Sequence, residues 1–382
     1  MRRIYLDHHA TTPVDPRVLQ AMLPYFGERF GNAASRTHEF GREAARAVEE
    51  AREKIAALLQ ARPDEIVFTS GATESDNLAI KGVGAARIVT VSTEHRAVLD
   101  SCRPPAKVTR LPVDRFGLLN LEEFRSSLTE ETGLVSVMFA NNEIGVLQPI
   151  PEIGAICRER GILFHTDAAQ AVGQVPVDVR AMAIDLMSFS AHKIYGPKGV
   201  GALYVRRRGS RVKLTPLIDG GGHEDDLRSG TLPVPLIVGF GEAAEICRRE
   251  MEEESRRIRE LRDRLWCGIQ ENLKHIHLNG HPERRLPGNL NVSIDYVESE
   301  SLIEEMPGIA VSSGAACMSA KIEPSYVLAA LGVPEPRAQG AIRFGLGRFN
   351  TKEDVDCALE ILIQSVRRLR ERSPLYSMLK EE

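Results

Sequence analysis

Short, continuously apolar runs that alternate with amphipathic segments constrain the fold of this chain more than any other feature. The runs are EIVFTS (65–70), RIVTVS (87–92), LVSVMFA (134–140), ILFHTD (162–167) and DLMSFS (185–190). Strands covered on both faces have such continuous runs, whereas half-exposed strands alternate apolar and polar residues. Segments such as 42–59 between the runs have helical spacing. The pattern predicts an α/β fold with a mostly parallel central sheet flanked by helices.

The second half of the chain predicts a smaller domain of a different kind. One long, highly charged helix is expected from about residue 235 to 273, and NLNVSIDYV (289–297) alternates polar and apolar residues. We therefore predict a large domain over 16–255, with 1–15 and 256–382 forming a smaller α+β domain. The Thr- and Pro-rich N-terminal arm is expected to pack near the functional site.

Composition excludes several classes of function. The 49 basic and 53 acidic residues give a net charge of −4, which argues against a broad nucleic-acid or membrane surface. No apolar run approaches the roughly 20 residues of a membrane-spanning helix. The chain starts without a signal or transit segment, which predicts a cytoplasmic protein.

The spacing of the six cysteines predicts neither a metal site nor a disulfide framework. They form no CxxC pair, and no His/Cys cluster has zinc-like spacing. Cys157, Cys247 and Cys267 lie in helix-like segments, so we expect them to be core or half-buried residues.

A lysine and an aspartate occupy the ends of neighbouring apolar runs. Asp167 closes one run, and Lys193 follows the next. Pyridoxal phosphate chemistry requires such a pair, because the amine holds the aldehyde of the cofactor and the carboxylate keeps the pyridine nitrogen protonated. The two residues alone are weak evidence, since most lysines and aspartates are solvated surface groups.

The stretch IVFTSGATESDNLAI (66–80) predicts a strand, a tight turn and the start of a helix. Backbone N–H groups at such a helix start bind phosphate, and the Thr73 hydroxyl adds a donor. Ser190 and His192 flank the Lys193 position and are candidate donors to the same phosphate. The alternatives are an ordinary helix N-cap for the turn and a structural role for His192.

Further polar residues follow other predicted strands. His95 is a candidate for stacking over the pyridine ring and exchanging protons near neutral pH. Asn142 and Gln170 are candidates for hydrogen bonds to the ring hydroxyl and the substrate, or else for turn and cap residues. In AIRFGLGRFN (341–350), Arg343 is a candidate for bidentate capture of a carboxylate, and spacing alone does not decide between it and Arg348.

Cys317 lies in VSSGAACMSAKIEPSYVL (311–328), a stretch that begins with small residues. Such a stretch predicts a mobile loop over about 311–322, whose thiol can move into a pocket and out again. The alternative is a small buried cysteine.

With these residues identified, the chain closely resembles the cysteine desulfurases of the NifS/IscS type, which are fold-type I pyridoxal phosphate enzymes. The resemblance runs over nearly the whole chain. In order, the matching motifs are YLDHHATTP, FGNAASRTHEFG, FTSGATESDNLAI, TEHRAVL, NNEIGVLQPI, HTDAAQAVG, SAHKIYGPKGVGALYVR, GGGHEDDLRSGTLPV, SSGAACMSA and IRFGLGRF.

The resemblance implies a role for each matching residue. The cofactor would be bound by Ala72, Thr73, His95, Asn142, Asp167, Gln170, Ser190, His192, Lys193 and Thr231. The catalytic residues would be Lys193, His95 and the sulfur-accepting nucleophile Cys317. Asn32, Asn142 and Arg343 would hold the substrate L-cysteine, with Arg343 on its carboxylate.

The resemblance also implies partners. Thr231 matches a residue that reaches the phosphate of the partner subunit, which implies a homodimer. The persulfide on Cys317 would pass to an iron–sulfur scaffold protein or another sulfur acceptor, with no direct contact to nucleic acid or membrane.

The chain departs from the family pattern at four positions. His8 and His9 stand where Asn is frequent, Ala33 where Pro is common, and His223 where Gln is frequent. Three alternatives stay open at this point: a related fold-type I enzyme such as a selenocysteine lyase or an aminotransferase, a cysteine lyase that makes pyruvate, and a non-catalytic docking protein.

Overall fold

The computed structural model describes residues 3–209, 212–313 and 325–379, and its strands and helices alternate as predicted. The elements up to residue 205 are β1 (Ile4–Tyr5), α1 (Pro16–Met22), α2 (Pro24–Gly27), α3 (Glu39–Leu58), β2 (Ile66–Thr69), α4 (Ala72–Val83), β3 (Arg87–Val91), α5 (Arg96–Leu99), β4 (Lys107–Leu111), α6 (Leu121–Ser127), β5 (Thr132–Ser136), α7 (Ile150–Arg160), β6 (Leu163–Asp167), β7 (Leu186–Ser190) and β8 (Gly201–Val205). The later elements are α8 (Val234–Asn272), β9 (Ile276–Leu278), β10 (Asn289–Ile294), α9 (Ser299–Glu304), β11 (Ile309–Ala310), β12 (Ser312–Ser313), α10 (Tyr326–Ala330), α11 (Glu335–Gln339), β13 (Ala341–Gly345), α12 (Lys352–Arg372) and α13 (Pro374–Leu379).

A seven-stranded sheet forms the centre of the large core in the described part of the chain, in the order β2-β8-β7-β6-β5-β3-β4. Only β8 runs antiparallel to its neighbours β2 and β7 within this sheet, so the predicted mostly parallel arrangement is confirmed. Every residue of β2, β7 and β8 is buried, which explains why their sequences are mostly apolar and contain no charged residue. The carboxyl ends of the parallel strands meet at one edge of the sheet, where ligands bind in such folds.

The 39-residue helix α8 joins two hydrophobic cores. Phe240 and Cys247 on its first half pack in the core around the large sheet, whereas Leu265 and Ile269 on its second half pack in a separate core. Cys267 is exposed, so its expected burial was wrong. It lies between Leu265 and Ile269 in sequence and therefore on the opposite face of the helix. Within the described ranges, no helix combines the length and the apolar character needed to cross a membrane.

A smaller antiparallel sheet, in the order β12-β13-β10-β9, lies at the second core. The predicted alternation in β10 corresponds to two kinds of burial. Leu290 and Val292 pack in the apolar core, whereas Asn291 and Ser293 are buried against Asn279, whose side-chain amide donates to both at 2.8 Å. The domain boundary at residue 255 stays a prediction.

The N-terminal arm runs from the second core to the large sheet. Its strand β1 pairs with β11, and further along the backbone N–H of Thr12 donates to the carbonyl of His192 at 3.0 Å. The Asp15 N–H donates to the carbonyl of Tyr195, also at 3.0 Å. The arm is thereby fixed beside Lys193, and the expectation that it packs near the functional site is confirmed.

Candidate active site

A cavity of about 610 Å³ opens at the carboxyl ends of the parallel strands. Most of the residues singled out in the sequence line it, although they are spread over 272 positions from Ala72 to Arg343 counted inclusively. They are Ala72, Thr73, His95, Asn142, Asp167, Gln170, Ser190, His192, Lys193 and Arg343. The sheet edge therefore brings together the groups that were predicted to bind cofactor and substrate.

Lys193 follows β7 in a short 3-10 turn, and its side chain reaches the N-terminal arm. Its Nζ donates to the carbonyl oxygen of Ala10 at 2.9 Å and also to that of His9. Burial lowers the pKa of Lys193 to about 8, helped by the positive charge of Arg343 and opposed by Asp167 and Asp7. Because a neutral amine is the nucleophile toward an aldehyde, this environment suits a lysine that attaches a carbonyl cofactor.

The lowered pKa predicts the pH range in which Lys193 becomes reactive. Without cofactor, acetylation of Lys193 by trace acetic anhydride should accelerate as the pH rises and level off above about 8, because deprotonation exposes the lone pair. Quantitative mass spectrometry measures the rate, with Lys198, exposed at the rim of the same cavity, as internal reference. A rate that kept rising toward the ordinary pKa of 10.5 would contradict the desolvated position of this amine.

Asp167 is the last residue of β6, and its carboxylate lies at the inner end of the cavity. Its Oδ1 accepts a hydrogen bond from the backbone N–H of Ala169 at 2.9 Å. Burial raises the pKa of Asp167, while the nearby charges of His95 and Lys193 lower it. A buried carboxylate of this kind favours a cationic partner such as a protonated ring nitrogen.

The phosphate end of the predicted site combines a helix start with side-chain donors. The twelve-residue helix α4 begins at Ala72, and its first N–H groups have no partner within the helix. Ser190 Oγ is buried without a hydrogen-bond partner among the described residues. His192 Nδ1 lies 3.1 Å from Thr11 Oγ1, and burial together with Lys193 and Lys198 lowers the pKa of His192 to about 4. An unsatisfied hydroxyl beside a free helix start fits a phosphate group.

The side chain of Gln170 has a protein partner that the sequence did not predict, whereas the side-chain oxygen of Asn142 has none among the described residues. The Gln170 amide exchanges two hydrogen bonds with His9, one with the ring Nδ1 and one with the carbonyl, both at 3.0 Å. Burial and the charge of Arg343 lower the pKa of His9 to about 3, so this ring is neutral. Asn142 Oδ1 is buried and has no partner among the described residues, which leaves it available to a ligand.

The structure separates the two candidate arginines. Arg348 donates to Asp15 at 2.8 Å and to Glu254 at 2.9 Å, which fixes it in a buried ion-pair network. Arg343 lines the cavity and donates through Nη2 to Asp7 at 2.7 Å and through Nη1 to the Asn142 carbonyl at 2.8 Å. Its buried Nε has no hydrogen-bond partner in the described chain. Arg343 therefore has a donor left for a ligand carboxylate.

We expect Arg343→Ala to raise KM for an amino-acid substrate roughly 10- to 100-fold, the value of one or two hydrogen bonds to a charged group. The cofactor should still bind, because Arg343 contacts no group predicted to hold the phosphate. Arg348→Ala is the matched control. Because it leaves the largely buried Glu254 without its ion-pair partner and Asp15 with Arg17 alone, it should instead lower the free energy of unfolding by about 3 kcal/mol. Steady-state kinetics and thermal unfolding distinguish the two outcomes, and an unchanged KM for Arg343→Ala would refute the assignment.

His95 caps the short helix α5, and its geometry defines the position of its proton. Its Nδ1 accepts a hydrogen bond from the backbone N–H of Ala97 at 3.2 Å. A nitrogen that accepts carries no proton, so in the neutral ring the proton is on Nε2. His95 lines the cavity with an exposed side chain, and in this tautomer its Nε2–H is a hydrogen-bond donor.

Three predicted residues do not lie in the cavity formed by the described chain. Asn32 is exposed, and its side-chain oxygen accepts from the Ala34 N–H at 2.9 Å. Thr231 is exposed as well, and neither residue lines the cavity. Cys317 lies outside the described residues, as does most of the loop predicted over about 311–322. The roles of all three stay predictions.

Sequence reasoning missed several residues that the structure places at the site. Asp7 and His9 contact Arg343 and Gln170 from the N-terminal arm, and no sequence signal specifies those pairings. Asp76 also lines the cavity and is completely buried. A signal for Asp76 was present, because it shares helical spacing with the buried Ala79 and Ile80 and so lies on the core face of α4.

Comparisons with known proteins agree with this geometry. The family described as Aminotransferase class-V matches residues 4–357. The protein named Cysteine desulfurase IscS of Anaeromyxobacter dehalogenans is 56% identical over 99% of this chain and 96% of its own length. The protein of the same name in Ehrlichia chaffeensis is 54% identical over 99% of this chain and 94% of its own length. The chain belongs to the cysteine desulfurases of the class-V aminotransferase family.

Two solved structures share the fold. A structure titled NIFS-LIKE PROTEIN is 40% identical, superimposes with a TM-score of 0.88, and covers 95% of this chain and 98% of its own. One titled SspA in complex with cysteine is 36% identical with a TM-score of 0.80 and covers 91% of this chain and 100% of its own. The predicted family, fold class and pyridoxal phosphate dependence are thereby confirmed.

Proposed function

We propose that this chain transfers the sulfur of L-cysteine to the Cys317 thiol and releases L-alanine. The observation that carries the proposal is the meeting of three groups in one cavity: the Lys193 amine with its lowered pKa, the buried Asp167 carboxylate and the Arg343 guanidinium. Relatives that bear the name cysteine desulfurase and a solved structure titled as a complex with cysteine support this substrate.

The residues present fit pyridoxal phosphate. Lys193 holds its aldehyde, Asp167 its ring nitrogen, and the start of α4 with Ser190 and His192 its phosphate. The buried Ser190 hydroxyl, which lacks a partner in the described chain, gives this fit a structural basis. When bound, the cofactor supplies an electron sink for the charge that develops at the substrate Cα.

The chain's own residues bind the substrate and move its protons. Arg343 holds the carboxylate of L-cysteine through its free donor. Lys193 Nζ, once released, removes the Cα proton, for which a pKa of about 8 is well matched to neutral pH. His95 is assigned the transfer of a proton from the substrate thiol to Cβ as Cβ separates from sulfur, because a neutral imidazole acts as an acid only after it has accepted a proton.

The sulfur transfer balances without an external oxidant. The Cys317 thiolate attacks the substrate sulfur, the bond from Cβ to sulfur breaks, and its electron pair stays on Cβ. A proton then completes the methyl group of alanine. One thiol and one cysteine thus give one persulfide and one alanine, with sulfur oxidised and Cβ reduced by the same two electrons.

The proposal includes partners for the persulfide and for the chain itself. Thr231 is exposed and lies away from the cavity of its own chain, as expected for a residue that reaches the phosphate of a second subunit in a homodimer. The proposal places delivery of the sulfur, to an iron–sulfur scaffold protein or another acceptor, in the cytoplasm; the name Cysteine desulfurase IscS of the relatives supports the sulfur-transfer role.

Product analysis tests the proposal. The purified protein is incubated with L-cysteine, pyridoxal phosphate and a thiol reductant, and the products are quantified by chromatography and a sulfide assay. Alanine and sulfide in equal amounts are expected. Pyruvate and ammonia would instead identify a cysteine lyase, and a strong preference for L-selenocysteine would identify a selenocysteine lyase.

A further inference from the structure

Three carboxyl groups are buried around the inner end of the cavity, and the proposed function uses one of them. Asp167 and Asp76 both line the cavity, and Glu94 is completely buried; the charges of Asp167 and Glu94 act on Asp76, and the charge of Asp167 acts on Glu94. Carboxyl groups whose charges act on one another in a low-dielectric interior do not all ionise. Some of the three acids therefore stay protonated, and their surroundings determine which ones.

Among the described residues, Asp76 has no cationic partner, and only the Ser188 hydroxyl favours its negative charge. It lies on the face of α4 that packs on β7, and neither of its oxygens has a hydrogen-bond partner among the described residues. The basic side chain beside it is His165, whose Nε2 lies 3.6 Å from Asp76 Oδ1, beyond normal hydrogen-bond length. An ionised carboxylate in this position would lose its hydration without compensation.

His165 does not provide a positive charge. Its Nδ1 lies 2.8 Å from Ser136 Oγ and its Nε2 lies 3.0 Å from Ser188 Oγ, so two neutral hydroxyls satisfy the ring. Complete burial lowers the pKa of His165 to about 3, and the ring is therefore neutral at physiological pH. Burial and the charges of Asp167 and Glu94 raise the pKa of Asp76 well above its usual range, against the opposing effect of the Ser188 hydroxyl.

Glu94 also lacks the groups that a buried negative charge needs. One of its oxygens accepts the backbone N–H of Met138 at 2.6 Å, and the other is buried with no partner in the described chain. Burial raises the pKa of Glu94 well above its usual range, and the charge of Asp167 adds to the rise. A single backbone donor is less than an ionised carboxylate needs when it is fully buried.

Asp167 differs from the other two acids in its neighbours. His95 and Lys193 both favour its ionised form, and the Ala169 N–H donates directly to it. A negative charge shared among the three acids is therefore most stable on Asp167.

We propose that Asp76 and Glu94 are held as neutral acids at physiological pH, so that Asp167 carries the one negative charge that faces the cofactor ring. Asp76 and Glu94 are then positioning residues that act through Asp167, and they keep a second and third charge from competing for the proton of the ring nitrogen. The inference rests on the proposed function in one respect, the assignment of Asp167 to that nitrogen.

Infrared difference spectroscopy on the cofactor-free protein tests the placement of the protons. Spectra at pH 7 are compared for wild type, Asp76→Asn and Glu94→Gln, which keep the size and polarity of the neutral acids. Each variant should lose one carbonyl-stretching band of a protonated carboxylic acid. Loss of a carboxylate band in Asp76→Asn would overturn the proposal for Asp76. If that variant does not fold, Asp76→Ser and wild type labelled with ¹³C at the aspartate carboxyls report the same band.

Reconstitution with pyridoxal phosphate tests the consequence. Both neutral-acid bands should persist in the reconstituted protein, because the cofactor brings its positive ring nitrogen to Asp167 alone. Asp167→Asn should weaken cofactor binding about 30-fold or more, as expected when a buried charge loses its partner, and Asp76→Asn by less than about tenfold. A band that disappears on reconstitution would overturn the proposal.

The two proposals fail in different ways. Neutral-acid bands assigned to Asp76 and Glu94, combined with normal cofactor affinity in Asp167→Asn, would refute the assignment of Asp167 to the ring nitrogen but not the proton placement. Carboxylate bands at Asp76 and Glu94 would refute the proton placement while the desulfurase function stood.

Discussion

Lys193→Ala is expected to abolish the visible absorbance of the lysine-bound cofactor, because no other amine occupies the same position among the described residues. The Lys193 amine donates hydrogen bonds to two carbonyl oxygens of the N-terminal arm, and burial lowers its pKa to about 8. Activity should fall by at least about 10²-fold, the lower end of what a positioned acid or base contributes. Absorbance spectra before and after borohydride reduction measure the loss directly.

Lys198→Ala is the matched control for this prediction. Lys198 lines the same cavity but is exposed, and it follows the turn that carries Lys193. The control should keep the visible band and its reduction by borohydride. A band that survives in Lys193→Ala and disappears in Lys198→Ala would transfer the covalent attachment to Lys198.

The sequence predicted five strands of the large sheet, β2, β3, β5, β6 and β7, because these are covered on both faces; it did not predict the partly exposed edge strand β4 or the antiparallel strand β8. Continuous apolar runs are the direct consequence of that burial, and the same runs placed Asp167 and Lys193 at strand ends. Parallel strands that end at one edge bring such residues together whatever their distance in sequence. The position of the long helix α8, observed over Val234–Asn272, was predicted almost to the residue because its charged face is continuous.

The sequence did not predict features that depend on contacts between distant segments. Arg343 and Arg348 lie in one stretch, and their difference arises from Asp7 on one side and from Asp15 and Glu254 on the other. These acids lie in the N-terminal arm and in α8, so local spacing contains no information about the pairing. The burial of Asp76 has the same origin, since it depends on how closely α4 packs on β7.

The cysteines that the structure describes can each be assessed as an alternative to Cys317 as the sulfur acceptor. Cys102, Cys157 and Cys247 are buried, and burial raises the pKa of each thiol; for Cys102 and Cys247 it rises to about 12. Raised pKa values leave almost no thiolate at neutral pH, which makes these residues poor nucleophiles. Cys267 is exposed on α8, Cys357 is half-buried on α12, and neither lines the cavity, so the local environments of these five residues offer no rival within the site.

We therefore expect Cys317→Ala to keep the visible absorbance of the bound cofactor and to lose persulfide formation. Alanine production should fall on the order of 10²-fold or more, equivalent to about 2.7 kcal/mol of activation free energy, because attack on the substrate sulfur has lost its nucleophile. Incubation with ³⁵S-labelled L-cysteine, followed by non-reducing electrophoresis, measures the sulfur bound to the protein. Retention of the absorbance band distinguishes a lost nucleophile from a lost cofactor.

Cys267→Ala is the control for this experiment, because it removes the exposed thiol that would accept sulfur non-specifically. It should form labelled persulfide at the wild-type rate. If Cys317→Ala still binds label and Cys267→Ala does not, the acceptor is the thiol on α8, and sulfur must leave the cavity before a protein thiol receives it. If both variants retain label and alanine production, another protein thiol such as Cys357 accepts the sulfur, and the chemistry proposed for Cys317 is wrong although the cofactor site is correct.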